Sequence, residues 1–387
     1  MADFGVNAEN FATMSVAGTA ESTALLATRP RWVRLNGQAT LYMTSPSSYS
    51  QALLQSQCAW AAENNVKVLL ILDYGPPKAS WQTLEVDTGY RDETDVSHGA
   101  WRACRPPEGW WEAELEGYLD MIATASAEFS NPASSLHCSY MNEPRFVVKN
   151  PAGDTYLNNG SIDTLFHERG AVQVPVIKAE FPEIFLWSPT VWGSDVFEYI
   201  DHWAANASGD TSYASGFDGW CFNYYPSIQS RPDWGEGSLT RHMNVGLDAI
   251  VSAFRSSAFP WNDTPLACHE IGVTPDLAGL TGLGLPDIRN VRQWRGKLTR
   301  VIIENLMGNT ELGQFFLYKY LDDVASFDEE KSASSEYGFF DTDGMVYSSY
   351  SEVALLGGSF PTEPPSGFTN FEGPWADDPS VTVTAPL

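Results

Sequence analysis

Eight short apolar or β-branched segments recur along this chain, each separated from the next by enough residues to hold a helix. They are Phe4–Ala8, Trp32–Leu35, Val66–Asp73, Leu136–Asn142, Ile184–Pro189, Gly219–Tyr225, Leu266–Ile271 and Gln314–Tyr320. Strands that alternate with helices pair in parallel rather than as hairpins, so the pattern favours repeated βα units over a sandwich. Amphipathic stretches fall between them at Ser50–Asn64, Gly109–Phe129, Asp195–Ala205, Leu239–Phe254 and Asp287–Met307, while the first and the fourth-to-fifth connections are weakly helical in sequence. Eight such units predict an α/β fold, a (β/α)8 TIM barrel. With 387 residues, the barrel takes up most of the chain as a single domain over 1–356. Residues 357–387 hold six prolines and little periodicity, and are expected to run extended over the surface or toward a protein partner.

Charge and cysteine content narrow the chemistry. The chain carries 49 acidic and 22 basic side chains, a formal charge of −27. Nucleic acid phosphates and anionic membrane surfaces would be repelled, and neutral or weakly cationic ligands fit better. No run of residues reaches the length of a membrane-spanning helix. Asp3-Phe4-Gly5-Val6-Asn7 begins without a basic and apolar leader. An extracellular enzyme with its leader removed, a cytoplasmic enzyme and a virion component all stay open, with extracellular or virion-associated settings favoured. Five cysteines, Cys58, Cys104, Cys138, Cys221 and Cys268, lack any Cys-x-x-Cys spacing, which argues for structural thiols rather than a disulfide scaffold or zinc site. Six scattered histidines supply no cluster of the kind a metal-dependent hydrolase needs.

Barrel enzymes place their chemistry at the carboxyl ends of strands and on the loops that follow. The fourth segment ends in Ser139-Tyr140-Met141-Asn142-Glu143-Pro144, and the seventh in Cys268-His269-Glu270-Ile271-Gly272. A single glutamate at a strand end is usually a rim ion pair. Two of them, in strands three positions apart, match instead a retaining glycosidase, in which one carboxyl protonates the leaving oxygen and the other attacks the sugar carbon. Strict alternation would turn Glu143 with Met141, and Glu270 with Cys268, toward the barrel interior. The segments after the third, fourth, sixth and seventh strands are long, and Trp81, Tyr90, Trp101 and Trp234 in them could pack the loops or stack on sugar faces.

On these residues the chain resembles clan A of the glycoside hydrolases, over roughly residues 3 to 356. The resemblance implies that Glu143, following Asn142, is the acid/base and Glu270 the nucleophile. It further implies that Arg34 in Trp32-Val33-Arg34 hydrogen-bonds the nucleophile and keeps it ionised, that Asn142 binds the sugar 2-hydroxyl, and that the Tyr225 hydroxyl contacts Glu270. Two positions depart from the clan. Asn223 stands where related families carry a histidine, and Phe316-Leu317-Tyr318-Lys319-Tyr320 stands where many have a tryptophan, so that Tyr318 or Tyr320 would form the sugar platform. The implied substrate is an oligo- or polysaccharide, and the reaction requires no metal or organic cofactor. The competing reading is a barrel that binds carbohydrate without cutting it, as a structural part of a virion or surface assembly. Retention of both glutamates counts against it.

Overall fold

The computed structural model describes residues 2–8, 19–35, 43–45, 48–49, 51–72, 110–142, 159–192, 196–209, 211–224, 247–272, 288–318, 321–322, 338–341, 345–356 and 370–371. Strands form in all eight expected segments: β1 (Asp3–Asn7), β2 (Trp32–Leu35), β3 (Lys67–Leu72), β4 (Leu136–Tyr140), β5 (Phe185–Trp187), β6 (Trp220–Tyr224), β7 (Leu266–Ile271) and β8 (Leu312–Leu317). They lie in one sheet in the order β5-β4-β3-β2-β1-β8-β7-β6, with the short strand Val191–Trp192 beyond β6. This is sequence order read around a ring. Parallel registers run from Val68↔Leu136 to Leu72↔Tyr140, from His137↔Phe185 to Ser139↔Trp187, and from Asp3↔Gln314 to Val6↔Leu317. A parallel bridge between Trp187 and Gly219, flanked by Ser188 N–H to Gly219 O at 2.9 Å and Asp218 N–H to Leu186 O at 2.8 Å, joins β5 to the start of β6. The ring is thereby closed as a (β/α)8 barrel.

The helices are α1 (Ala20–Ala27), α2 (Gln51–Glu63), α3 (Trp110–Ala127), α4 (Asn159–Glu180), α5 (Val196–Ala205), α6 (247–254), α7 (Ile288–Gly308) and α8 (Ser348–Ala354). The weakly helical first connection is a helix after all, started by Thr19, whose side chain accepts from Ser22 N–H. The stretch 144–170, expected as a loop, gives way to α4 from Asn159 onward. Among the described residues no helix is long and apolar enough to cross a membrane. The four described cysteines, Cys58, Cys138, Cys221 and Cys268, are buried and free, while Cys104 lies outside the described residues.

The chain divides into two compact units. One comprises Met1–Val33, Asn223–Ser252 and Cys268–Leu387. Within it Gly5 faces Phe316, whose ring occupies the space a side chain at Gly5 would need: a Cβ there would come within 2.5 Å of the ring and 3.0 Å of Trp32 Cβ. The Trp32 indole N–H donates to Asp3 at 3.3 Å, so Trp32 lies on the Asp3 and Gly5 side of β1. Helix α7 packs on α8, joined by Arg300 and Glu352 at 2.9 Å. Beyond β8 a small sheet of Leu321–Asp322, Phe340–Asp341, Met345–Val346 and Asn370–Phe371 forms, its last strand parallel to the third. The stretch 357–387 thus contributes an edge strand at Asn370–Phe371.

The other unit comprises Arg34–Phe222 and Ala253–Ala267. Gly219 plays the part for Trp187 that Gly5 plays for Phe316, since a Cβ there would come within 2.5 Å of the indole. Large rings opposite glycines are how a closed ring of strands fills its interior to crystal-like density. On the helix side, Trp203, Trp220, Phe254, Phe259 and Trp261 nest together, mostly edge to face, with the Trp220 and Trp261 pair tilted.

Candidate active site

The end of β4 is the best-defined part of the site. Tyr140 points away from the barrel interior and donates its hydroxyl to Gln173 of α4 at 2.9 Å. Met141 then adopts φ 65°, a left-handed conformation that a non-glycine residue holds only under constraint. Two backbone bonds impose it: Met141 N–H to Leu72 O, and Thr190 N–H to Met141 O, both at 3.0 Å. The turn delivers Asn142 into a parallel bridge with Thr190. Asn142 Oδ1 then accepts from Nη2 of Arg34, fully buried in β2, at 3.0 Å. With its oxygen bonded to a guanidinium, the carboxamide has a fixed orientation, with Nδ2 as its donor end. Sequence reading singled out Arg34 and Asn142 without pairing them. Thr190 and the Met141 turn were not found, and the only sequence signal for Thr190 was its place just past the fifth segment.

Glu143, Tyr225 and Tyr320 lie outside the described residues, as do Asp73 and the ring-bearing loop residues Trp81, Tyr90, Trp101 and Trp234. Glu270 is present in β7 and buried, at 4 % exposure. Asn223, in β6, is fully buried. Tyr318 follows β8, half-buried, and its N–H donates to Ile271 O at 2.8 Å, which holds the end of β8 against the end of β7.

One expectation from strict alternation changes. His269, not Cys268, shares the Phe316 side of its strand: the two rings meet edge to face with centroids 5.7 Å apart. Cys268 instead neighbours Tyr224, whose hydroxyl is held by the backbone at Leu247 in α6 and pushed up mainly by burial, with Cys268 and Asp248 adding to it. The Cys268 thiol donates to Glu270 O at 3.3 Å. His137 sits near the start of β4, roughly 16 Å of extended chain before Asn142. It stacks on Phe185 and accepts from the Trp187 indole at 3.2 Å, and burial, with a smaller effect from Lys67, lowers it to about 3.

Within the second unit, a buried polar layer faces the interior from β4 to β6. The Cys221 thiol donates to Ser188 O at 3.1 Å and lies near the Ser139, Ser188 and Thr190 hydroxyls at 3.9, 3.6 and 3.5 Å. Burial raises this thiol to about 11, against the pull of those hydroxyls and Arg34. It is therefore a neutral packing group, not a nucleophile. Among the described residues no group of three or more His, Cys, Asp or Glu side chains is placed to hold a metal ion.

The chain thus has a (β/α)8 barrel, with an Arg-held asparagine just past β4 and a buried glutamate in β7. Solved structures that it resembles include glycoside hydrolases. Native xylanase 10C of Cellvibrio japonicus superposes with a TM-score of 0.59 at 11% identity, covering 94% of this chain and 72% of that one. The same enzyme, as a mutant, has been solved with xylopentaose. A psychrophilic family 10 endo-β-1,4-xylanase gives 0.56 at 10% identity, over 91% of this chain and 96% of that one. Endo-glycoceramidase II from Rhodococcus gives 0.50 at 15% identity, over 89% and 76%. At such identities the likeness is one of fold. No family model and no curated protein sequence matches the chain.

Proposed function

We propose that this chain is a retaining O-glycoside hydrolase that cleaves a β-linked glycan by double displacement, with Glu143 as acid/base and Glu270 as nucleophile. The observation that carries the reading is the Arg34 to Asn142 bond at the end of β4. A buried guanidinium bonded to the carboxamide one residue before Glu143 fixes the orientation of that amide beside the proposed acid/base, the kind of placement a sugar-hydroxyl contact needs.

The chemistry divides between the two carboxyls. Glu143 donates its proton to the glycosidic oxygen as Glu270 attacks the anomeric carbon, giving a glycosyl-enzyme and a free alcohol. Glu143, now a carboxylate, takes a proton from water as that water displaces Glu270. The Asn142 Nδ2 bond to the 2-hydroxyl strengthens as the ring approaches an oxocarbenium ion. Tyr225 would add a bond to the Glu270 carboxylate, and Tyr318 or Tyr320 would floor the sugar. Neutral β-linked chains such as xylan are the first substrates to try, because the fold neighbours include xylanases and a charge of −27 disfavours acidic polysaccharides.

The test is hydrolysis of a panel of aryl β-glycosides and β-linked polysaccharides. Glu270→Ala should lower kcat by about a thousandfold or more, and azide should restore turnover to give an α-glycosyl azide. Glu143→Gln should lower kcat/KM by about a hundredfold or more on poor leaving groups, yet spare dinitrophenyl glycosides, which need no protonation. An active wild type whose two variants keep its rate, or a product released with inverted configuration, would overturn the assignment.

A further inference from the structure

The carboxyl end of β1 holds a buried amide with no visible task in the fold. Asn7 is 1 % exposed, and neither its Oδ1 nor its Nδ2 has a hydrogen-bond partner among the described residues. Leaving both faces of a carboxamide dry opposes folding, and buried polar groups are otherwise almost always paired. No packing need accounts for it, since an aliphatic side chain would fill the same volume without that penalty.

Its direction follows from its own unit. Asp3, Gly5 and Asn7 alternate along β1, so they share a face. Asp3 accepts from the Trp32 indole, and the Gly5 position is filled by the Phe316 ring and Trp32 Cβ. Asn7 is the next step up that face, at the carboxyl end, above the Phe316 and Trp32 layer. The register Val6↔Leu317 sets it beside Tyr318, itself bonded to the end of β7 just past Glu270. The amide therefore stands at the strand ends where a barrel places its chemistry, on the far side of β8 from the strand that carries Glu270.

We infer that Asn7 is a glycan-binding residue, a deepening that rests on the hydrolase reading above. A carboxamide presents an acceptor and two donors in one plane. It matches two neighbouring hydroxyls of a neutral sugar, with Oδ1 accepting from one and Nδ2 donating to the other. Water would take these bonds in the empty site.

The experiment compares Glu270→Gln with the double variant Glu270→Gln/Asn7→Leu, so that turnover does not consume the ligand. Binding of xylopentaose, cellopentaose and mannopentaose is measured by titration calorimetry on samples whose far-UV spectra match the wild type, with Asn7→Ser replacing Asn7→Leu should the latter not fold. Loss of two hydrogen bonds to a bound sugar should weaken the best pentaose by about tenfold, while the melting temperature stays level or rises. Affinity held within about twofold overturns the assignment of Asn7 and leaves the hydrolase reading standing; a lower melting temperature with that result assigns Asn7 to a structural water instead. Absence of saturable binding of any pentaose to the Glu270→Gln chain sinks the glycan-binding role. The hydrolase reading stands or falls separately on whether the wild type cleaves the panel above.

Discussion

Among the described residues three non-glycine positions have positive φ, and they separate strain that serves the fold's ends from strain that serves its site. Arg29 (φ 45°) and Asn65 (φ 56°) follow α1 and α2, where a left-handed residue ends a helix. Asparagine tolerates that conformation, and arginine gains nothing from it. Arg29→Gly should therefore stabilise the protein by about 0.5 to 1 kcal/mol, read as a raised urea midpoint at unchanged slope. Met141 (φ 65°) looks alike by dihedral angle, but its side chain is 3 % exposed and its backbone is held on both sides by Leu72 and Thr190. For Met141→Gly the relief of strain is outweighed by the lost side chain, and destabilisation of about 2 to 4 kcal/mol is expected. The two variants should thus move the midpoint in opposite directions. Equal stabilisation of both would mean that the Met141 turn is not held by its packing.

At the scale of elements, α4 is anchored by polar groups as well as by the buried Val174 and Ile177. Arg169 Nη2 bonds Glu114 of α3 at 2.5 Å and the Tyr118 hydroxyl at 2.6 Å, and Gln173 Nε2 donates to the other Glu114 oxygen at 2.9 Å. Gln173 Oε1 accepts from both Arg169 Nε and Tyr140. Every one of these groups is buried. Arg169→Leu would strand the Glu114 carboxylate and should cost about 3 to 5 kcal/mol, whereas Glu114→Leu/Arg169→Leu should recover much of that, measured by chemical denaturation. A double variant no better than the single would show that the charge pair itself carries the stability. This network also explains what the sequence did and did not reveal. The eight strands could be read because each is a short, mostly buried segment with β-branched or aromatic residues, set apart from the next by helix-length stretches. Helix α4 reads only as weakly helical, because its inward face mixes His167, Arg169 and Gln173 with Val174 and Ile177 while Val172 and Val176 are exposed, which blurs the usual pattern, and Pro175 lies within it. Of the site, residue types at strand ends gave Arg34, Asn142 and Glu270. The Arg34 to Asn142 pairing depends on contacts 108 residues apart, which no local pattern encodes. The same holds for the buried amide of Asn7.

For the molecule as a whole, two electrostatic effects act with opposite responses to solvent. A charge of −27 repels itself across the surface, and that repulsion is screened as the Debye length falls from about 30 Å at 0.01 M salt to about 3 Å at 1 M. Added salt at pH 7 should thus raise the melting temperature. The second effect is buried. His167 bonds the Tyr213 hydroxyl through Nδ1 at 2.9 Å and His202 through Nε2 at 3.0 Å, and burial, with His202 adding to it, lowers it to about 3. His137 is lowered to about 3 by burial in the same way. Both are neutral in the fold and take a proton on unfolding once the pH drops below their ordinary value of 6.5. The sign is therefore fixed: their contribution is complete above pH 6.5 and is lost progressively as the pH falls from 6.5 toward 3. In the middle of that window two protons bound on unfolding correspond to a slope of about 2 to 3 kcal/mol per pH unit. Surface carboxylates remain mostly ionised at about pH 5 to 6, so the early part of the decline belongs to these histidines. Desolvation is not screened by ions, so salt at about 1 M should raise the whole curve of unfolding free energy against pH without flattening its fall between about pH 6.5 and 5. A fall abolished by salt would place its origin in the surface charge, and a stability that is flat through that window would mean that His137 and His167 are already charged in the folded protein.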